Sequence, residues 1–166
     1  IKNLNIEKIM KKLKSLLLTL AMLLCSFSAS AEDFSVDGIY YNITSSTDLT
    51  VAVTYQGSSY DSYSNEYSGS VVIPGTVTYE SKTYSVTSIG GSAFWYCDNL
   101  ESIVIPDSVT CIGGCAFCGC KNLKSITIPD SVKEIGNSVF SGCESLISVT
   151  IPDGITRIEE RTFSEC

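Results

Sequence analysis

Hydrophobic positions in the second half of the chain recur at a spacing far longer than a helix turn or a strand pleat. Val86-Thr87-Ser88-Ile89-Gly90-Gly91-Ser92-Ala93-Phe94 returns as Val109-Thr110-Cys111-Ile112-Gly113-Gly114-Cys115-Ala116-Phe117. Val132, Ile135, Gly136 and Phe140 continue the pattern, followed by Ile155, Ile158 and Phe163, each step being 23 residues. Leu100, Leu123 and Leu146 keep the same step. So do Ile103, Ile126 and Val149, then Ile105, Ile128 and Ile151, and then Pro106, Pro129 and Pro152. Within a unit, Leu100-x-x-Ile103-x-Ile105 alternates as a short strand does. Pro106 ends that strand because it lacks the N–H a ladder needs, and Asp107-Ser108 supplies turn chemistry. Val109 and Ile112 are expected to point inward, and Phe94 and its copies put an aromatic into the core on the return side. Gly90, Gly113 and Gly136 suit a sharp corner. One unit cannot bury so many apolar groups alone. Stacking at about 4.8 Å sets Ile on Ile and Phe on Phe, and stability then rests on neighbouring units.

The pattern loosens towards the N-terminus. Ser68-Gly69-Ser70-Val71-Val72-Ile73-Pro74 matches the strand, with Ser68 where Leu belongs. From Pro74 to Val86 there are nine more residues than from Pro106 to Val109, and the extra stretch, Val77 to Tyr84, reads as a β-hairpin whose arms flank Glu80-Ser81-Lys82. Further back, Phe34 to Ile43 and Leu49 to Tyr55 read as two strands around Ser45-Ser46-Thr47-Asp48. A solenoid needs an end that covers its first open core, and residues 32–67 are read as that antiparallel β cap; the alternative is a small binding module. Gln56 to Tyr67 is a Ser/Tyr-rich loop, either a solvated linker or a binding loop of the kind Tyr, Ser and Gly build.

Residues 1–31 carry a different pattern. Met10-Lys11-Lys12-Leu13-Lys14 is a basic start, Leu16 to Phe27 an apolar run, and Ala29-Ser30-Ala31 a small-x-small cleavage site. That is the layout of a secretory signal peptide, and the run is short for a bilayer span, which needs about 20 residues. With Met10 as initiator, residues 1–9 read as an upstream extension. Cys25 follows Met22-Leu23-Leu24, and a bulky Leu stands where a lipoprotein signal wants a small residue. The final unit stops at Cys166, short of a full repeat, so truncation and further domains are expected there.

The phrase Leu-x-x-Ile-x-Ile-Pro, with Ile-Gly-x-x-Ala-Phe and a ladder Cys, resembles the bacterial leucine-rich repeats of the BspA-like, Treponema type over about residues 71–166. In that family Pro replaces the usual Asn ladder after the strand, as it does here. The resemblance implies a β-rich leucine-rich-repeat solenoid with short parallel strands on a concave face. It also implies secreted or cell-surface proteins, several of them acting in adhesion to host matrix or other cells, and it implies no single ligand.

Charge narrows the partners. Removing residues 1–31 takes away Lys2, Lys8, Lys11, Lys12, Lys14 and Glu7, so 11 basic and 18 acidic residues become 6 and 17 and the net charge moves from −7 to −11. Nucleic acid and anionic membrane both ask for a positive patch, so neither is expected as a partner, and no membrane insertion is expected after signal removal.

Candidate chemistry is sparse. The chain has no His, which removes His-based triads, ligands and acid–base work; Ser-Lys or carboxylate-pair catalysis stays formally open. Asp107, Asp130 and Asp153 recur because each unit repeats one turn, and Glu159-Glu160 reads as a solvated face. Cys97, Cys120, Cys143 and Cys166 occupy one repeat position. Stacked copies have near-parallel Cα–Cβ vectors, which suits packing and not disulfide formation. Cys111, Cys115, Cys118 and Cys120 are denser. They leave open zinc or a local disulfide of Cys115 with Cys118 or Cys111, against drift on a fixed frame, since Cys111 aligns with Ser88 and Glu134. No cofactor and no catalysis is expected.

The outward strand positions of the concave face are Ser70 and Val72, Ser102 and Val104, Ser125 and Thr127, and Ser148 and Thr150. These small side chains make a flat face for a partner: a host or neighbouring-cell surface protein, extracellular matrix or glycan. Trp95-Tyr96 is a bulky pair where other units have Cys118-Gly119 or Ser141-Gly142, either a contact or a cover for the cap–solenoid junction, and Tyr60 and Tyr63 in the Tyr-rich loop are further candidates. The expected function is an exported recognition or adhesion module. The alternatives are a spacer displaying a further domain and, least favoured, a secreted hydrolase.

Overall fold

A computed structural model describes residues 32–61 and 66–166. The expected signal peptide and Tyr63 lie outside the described residues. Eleven strands and no helix are found among those described: β1 (Phe34–Val36), β2 (Ile39–Ser45), β3 (Thr50–Thr54), β4 (Gly69–Val72), β5 (Thr76–Tyr79), β6 (Lys82–Ile89), β7 (Leu100–Val104), β8 (Cys111–Ile112), β9 (Ser125–Thr127), β10 (Glu134–Ile135) and β11 (Ser148–Thr150).

Two local turns differ from the sequence expectation. Phe34 to Ile43 is two antiparallel strands, because Asp37 and Gly38 both take left-handed φ, 51° and 78°. Asp-Gly is a strong signal for such a two-residue turn. In the inserted hairpin Tyr79 pairs with Lys82, so the turn is Glu80-Ser81 alone, again left-handed at both residues with φ 47° and 63°. Lys82 belongs to the second arm.

The main sheet runs β1-β2-β3-β6-β8-β10, with β5 added alongside β6. Its first three strands are antiparallel, whereas β3–β6, β6–β8 and β8–β10 are parallel. The cap and the return strands of the repeats are therefore one sheet. Val51 and Val53 pair with Val86 and Ile89 just as Ile89 pairs with Ile112. The inserted hairpin joins the cap as well: the Tyr79 ring lies 4.2 Å from that of Phe34 with planes 1° apart, and Tyr84 and Tyr41 complete the cluster.

Inside the stack the repeat positions superpose unit on unit. Val109, Ile112, Ala116, Phe117, Cys120 and Leu123 are all fully buried. The Phe rings form a column in which Phe94–Phe117, Phe117–Phe140 and Phe140–Phe163 centroids are 5.1, 5.7 and 5.6 Å apart and nearly parallel. Tyr67 heads that column, 4.5 Å from Phe94. Its hydroxyl donates to the Thr54 carbonyl at 2.7 Å and accepts from the Tyr40 amide at 3.1 Å, so the first ring of the column is tied to the cap. Three of the four ladder cysteines do more than fill space. The Cys120, Cys143 and Cys166 thiols donate to the carbonyls of Phe94, Phe117 and Phe140, one unit back, each at 3.1 Å. Burial pushes the Cys143 thiol up to about 12, and Cys120 is raised for the same leading reason. These are protonated packing groups and not reactive thiolates.

On the other side, β4 pairs with β7 and β9 with β11, all parallel. No ladder joins β7 to β9 among the described residues, so the expected sheet is two paired segments. The first pair carries a register shift between Gly69 and Ser70, and a bulge of that kind adds local twist that the second pair lacks.

Candidate recognition surface

The strip is built by alternation. In β7 the Leu100 and Ile103 side chains go inward, which leaves Ser102 and Val104 outside. All eight expected positions, Ser70, Val72, Ser102, Val104, Ser125, Thr127, Ser148 and Thr150, are exposed. Val72 and Val104 sit opposite each other at 64% and 56% exposure, a small apolar step in an otherwise hydroxyl-bearing face. Beside them the Ser102 hydroxyl donates to that of Ser70 at 2.8 Å. Sequence reasoning omitted one exposed row. Glu101, Lys124 and Ile147 stand at one repeat position beside the strip, with Ile147 86% exposed. Its signal was available, since polar Glu and Lys at that repeat position mark it as outward.

Trp95 and Tyr96 serve the junction. The Trp95 ring lies edge-on to Tyr60 at 4.8 Å and to Tyr96 at 4.4 Å, and Tyr60 lies 6.2 Å from Tyr55, so this group links the Tyr-rich loop to the first full unit. Trp95 is half-buried, whereas Tyr60 and Tyr96 keep exposed faces. Tyr96 takes φ 51° where the next units have Gly119 and Gly142 at 76° and 72°. A left-handed φ costs an L residue roughly 1–2 kcal/mol. The ring offsets this by covering Gly119, whose missing Cβ would stand 3.0 Å from it.

The cysteine cluster closes one of the alternatives left open. Cys115 and Cys118 are free thiols, so neither local pairing forms. Cys111 lies in β8 and Cys115 lies beyond the Gly113-Gly114 corner, which separates them. Burial, with the Cys115 thiol alongside, pushes Cys118 up to about 11. Among the described residues no group of three or more His, Cys, Asp or Glu is arranged to hold a metal. The recurring aspartates sit in turns: the Val109, Val132 and Ile155 amides donate to the Pro106, Pro129 and Pro152 carbonyls at 3.0 Å, bracketing Asp107, Asp130 and Asp153.

One titratable group stands apart. Burial pushes the Glu66 carboxyl from its ordinary 4.5 up to about 7; the Gln56 amide, donating to Oε2 at 3.2 Å, opposes this and the Glu32 carboxylate adds to it. Tyr40, Tyr55, Tyr67 and Cys97 are the other titratable groups facing it. A raised carboxyl holds its proton more tightly folded than unfolded, so stability falls as pH climbs from about 4.5 to about 7. Discounted for the solvent that reaches this half-buried group, the loss is about 1–2 kcal/mol. Denaturant unfolding at pH 5 and pH 8 should show Glu66→Gln losing this part of the pH dependence. Identical pH slopes in variant and parent would contradict it.

The stacked parallel strands, the aromatic column and the outward hydroxyl strip define a leucine-rich-repeat solenoid. Residues 87–166 match the family described as BspA type Leucine rich repeat region (6 copies), and the repeats of this chain belong to that family. No curated protein matches the chain. Among solved structures it is similar to a leucine-rich repeat protein from Bacteroides ovatus at 32% identity, over 81% of this chain and 45% of that one, with a TM-score of 0.46. A leucine rich cell surface protein from Faecalibacterium prausnitzii is 25% identical over 84% and 47% of the two chains, with a TM-score of 0.44. The T. pallidum leucine rich repeat protein, at 23% identity over 81% and 68%, has a TM-score of 0.53 and shares the fold. The chain thus spans less than half the length of the Bacteroides ovatus protein.

Proposed function

We propose that this chain is an exported recognition module whose repeat face binds a protein or glycan on a cell surface or in the surrounding matrix. The observation that carries this reading is the strip itself. Eight short side chains stand outward from strands whose inward neighbours are locked in the core, and Val72 and Val104 are exposed at its first pair. A rigid, weakly polar face loses little side-chain entropy on contact. Export is supported by the basic start, apolar run and small-x-small site of residues 10–31. No helix of the described residues is long and apolar enough to cross a membrane. Recognition rather than turnover is supported by the aspartate series, whose members are turn centres.

The test is a binding screen of the full chain against matrix proteins, glycans and intact cells, with Val72→Glu/Val104→Glu as the paired variant. Both side chains are more than half exposed; two surface changes of up to about 0.5 kcal/mol each, with the repulsion of like charges placed directly opposite, should lower the melting temperature by no more than about 5 °C. Binding to the captured partner should fall at least about tenfold, the cost of desolvating two carboxylates in a contact. A screen with no hit above a scrambled-repeat control, or a hit that ignores the double substitution, rejects the reading.

A further inference from the structure

The first repeat strand, β4, has one paired edge and one open edge. On the paired side the Gly69 and Ile73 amides donate to the Asn99 and Val104 carbonyls at 2.8 and 3.0 Å. Among the described residues β7 is the only strand in a ladder with β4. Successive residues of a strand turn their N–H and C=O to opposite edges. Gly69, Val71 and Ile73 therefore face β7, and Ser70 and Val72 turn theirs to the open edge. Among the described residues no hydrogen bond fills that edge at Ser70 or Val72. An edge of this kind is a template for a further strand.

A cleft of about 400 Å³ runs along it. Ser70, Val71, Val72 and Pro74 line one side, and the β1–β2 turn, Val36 to Ile39, lines the other. No residue of β7 lines the cleft, so it lies on the open side of β4. The cap turn stands in the way of a second folded copy, whereas one extended segment fits the gap. Val36, Val71 and Val72 supply apolar walls; the charged residues of the lining are Asp37, exposed in its turn, and Glu66, with no Lys or Arg. Alternate apolar side chains and a basic end match such walls, while main-chain hydrogen bonds hold the segment.

We infer that the open edge of β4 and the cleft beside it bind an extended segment of the partner protein as an added strand, hydrogen-bonded to the Ser70 and Val72 backbone and carrying a basic residue near Asp37. Ser70 and Val72 also begin the outward strip, so this rests on the recognition reading and deepens it: the partner's strand widens that face by one row.

The test measures, by NMR and calorimetry, binding of the full chain to an acetylated and amidated peptide of alternating Val and Thr with Lys at both ends. Without peptide, the Ser70 and Val72 amides should exchange with solvent at least tenfold faster than those of Val71 and Ile73, and peptide should slow the first two at least tenfold. Two isomers of the peptide, N-methylated on alternate residues in one frame or the other, leave the protein's own fold untouched. One should lose at least tenfold in affinity and the other stay within about threefold. Val72→Pro removes an N–H that the β4–β7 ladder does not use and should weaken the peptide at least tenfold, with the β7 amides still protected. Glu in place of Lys at the ends should cost at least fivefold at low salt, and Asp37→Asn should narrow that difference about twofold. No peptide binding, unchanged exchange at Ser70 and Val72, or equal affinity of the two methylated isomers would overturn strand addition. Equal binding of the Glu-ended peptide would overturn the basic residue. A dimer of the chain that Val72→Pro dissolves, with no peptide bound, would assign the edge to a second copy and overturn the partner segment. Failure here with strip-dependent partner binding intact rejects this inference alone; failure of both rejects the recognition reading.

Discussion

Phe117→Ala is expected to destabilise the chain by about 3–5 kcal/mol, the range for removing a buried aromatic from a core that cannot collapse around the gap. The ring is fully buried and is the middle of the column, stacked on Phe94 at 5.1 Å and on Phe140 at 5.7 Å. Each stacked pair adds roughly 0.5–1.5 kcal/mol beyond area burial, and the substitution removes two of them. Phe163→Ala is the informative control. That ring keeps one stacked neighbour, Phe140, and is 39% exposed, so it should cost only about 1 kcal/mol. The difference follows from the arrangement, since the two residues share one repeat position. Urea unfolding followed by circular dichroism reads both. A solenoid whose units depend on neighbours should weaken most when the cut is central; equal losses at 117 and 163 would show that the column is not the coupling element.

The column also marks where sequence reading succeeds and where it stops. Phe94, Phe117, Phe140 and Phe163 were visible because they share one period. Tyr67 was not, because it precedes Phe94 by 27 residues and the Tyr-rich loop before it has no counterpart in later units. Its place in the stack depends on β3 pairing in parallel with β6 across an inserted hairpin, and no local pattern encodes that pairing. The Asp37-Gly38 turn is the opposite case, a strong local signal hidden inside a run read as a single strand. For the candidate site, the outward set from Ser70 to Thr150 was legible because alternation in a half-buried strand fixes which side chains face out. The cleft beside it was not. Its lining, which includes Tyr41 and Glu66, assembles only after cap and repeat have folded together.

The ladder glycines show a right position with a different reason, and they carry the second large expected effect. The repeat pattern suits Gly113 and Gly136 to sharp corners, yet neither takes a left-handed φ; within the repeat those conformations fall on the Ser92, Cys115, Ser138 and Arg161 series, at φ 55–59°, and on the Tyr96, Gly119, Gly142 and Glu165 series. What the glycines supply is proximity. A Cβ on Gly136 would lie 2.4 Å from the Gly114 nitrogen and 2.7 Å from its Cα, and one on Gly113 would lie 2.5 Å from the Gly91 nitrogen. The obstructing atoms are backbone in the preceding unit, so no side-chain rotation relieves the clash and the stacked turns must separate. That separation stretches the hydrogen bond from Gly136 N–H to the Ile112 carbonyl, 2.9 Å, which holds the two units together. Gly136→Ala is therefore expected to cost about 3 kcal/mol, at the upper end for overpacking, despite adding one methyl group. Gly75→Ala is the control, since its nearest neighbour would be the Ser108 hydroxyl at 3.6 Å, an ordinary contact; it should stay within about 0.5 kcal/mol of the parent. Thermal unfolding of the two variants separates the explanations. If conformational freedom at a corner were the requirement, Gly136→Ala would be nearly neutral, because its φ is open to alanine. A loss several times larger than at Gly75 assigns the glycine ladder to unit-to-unit approach.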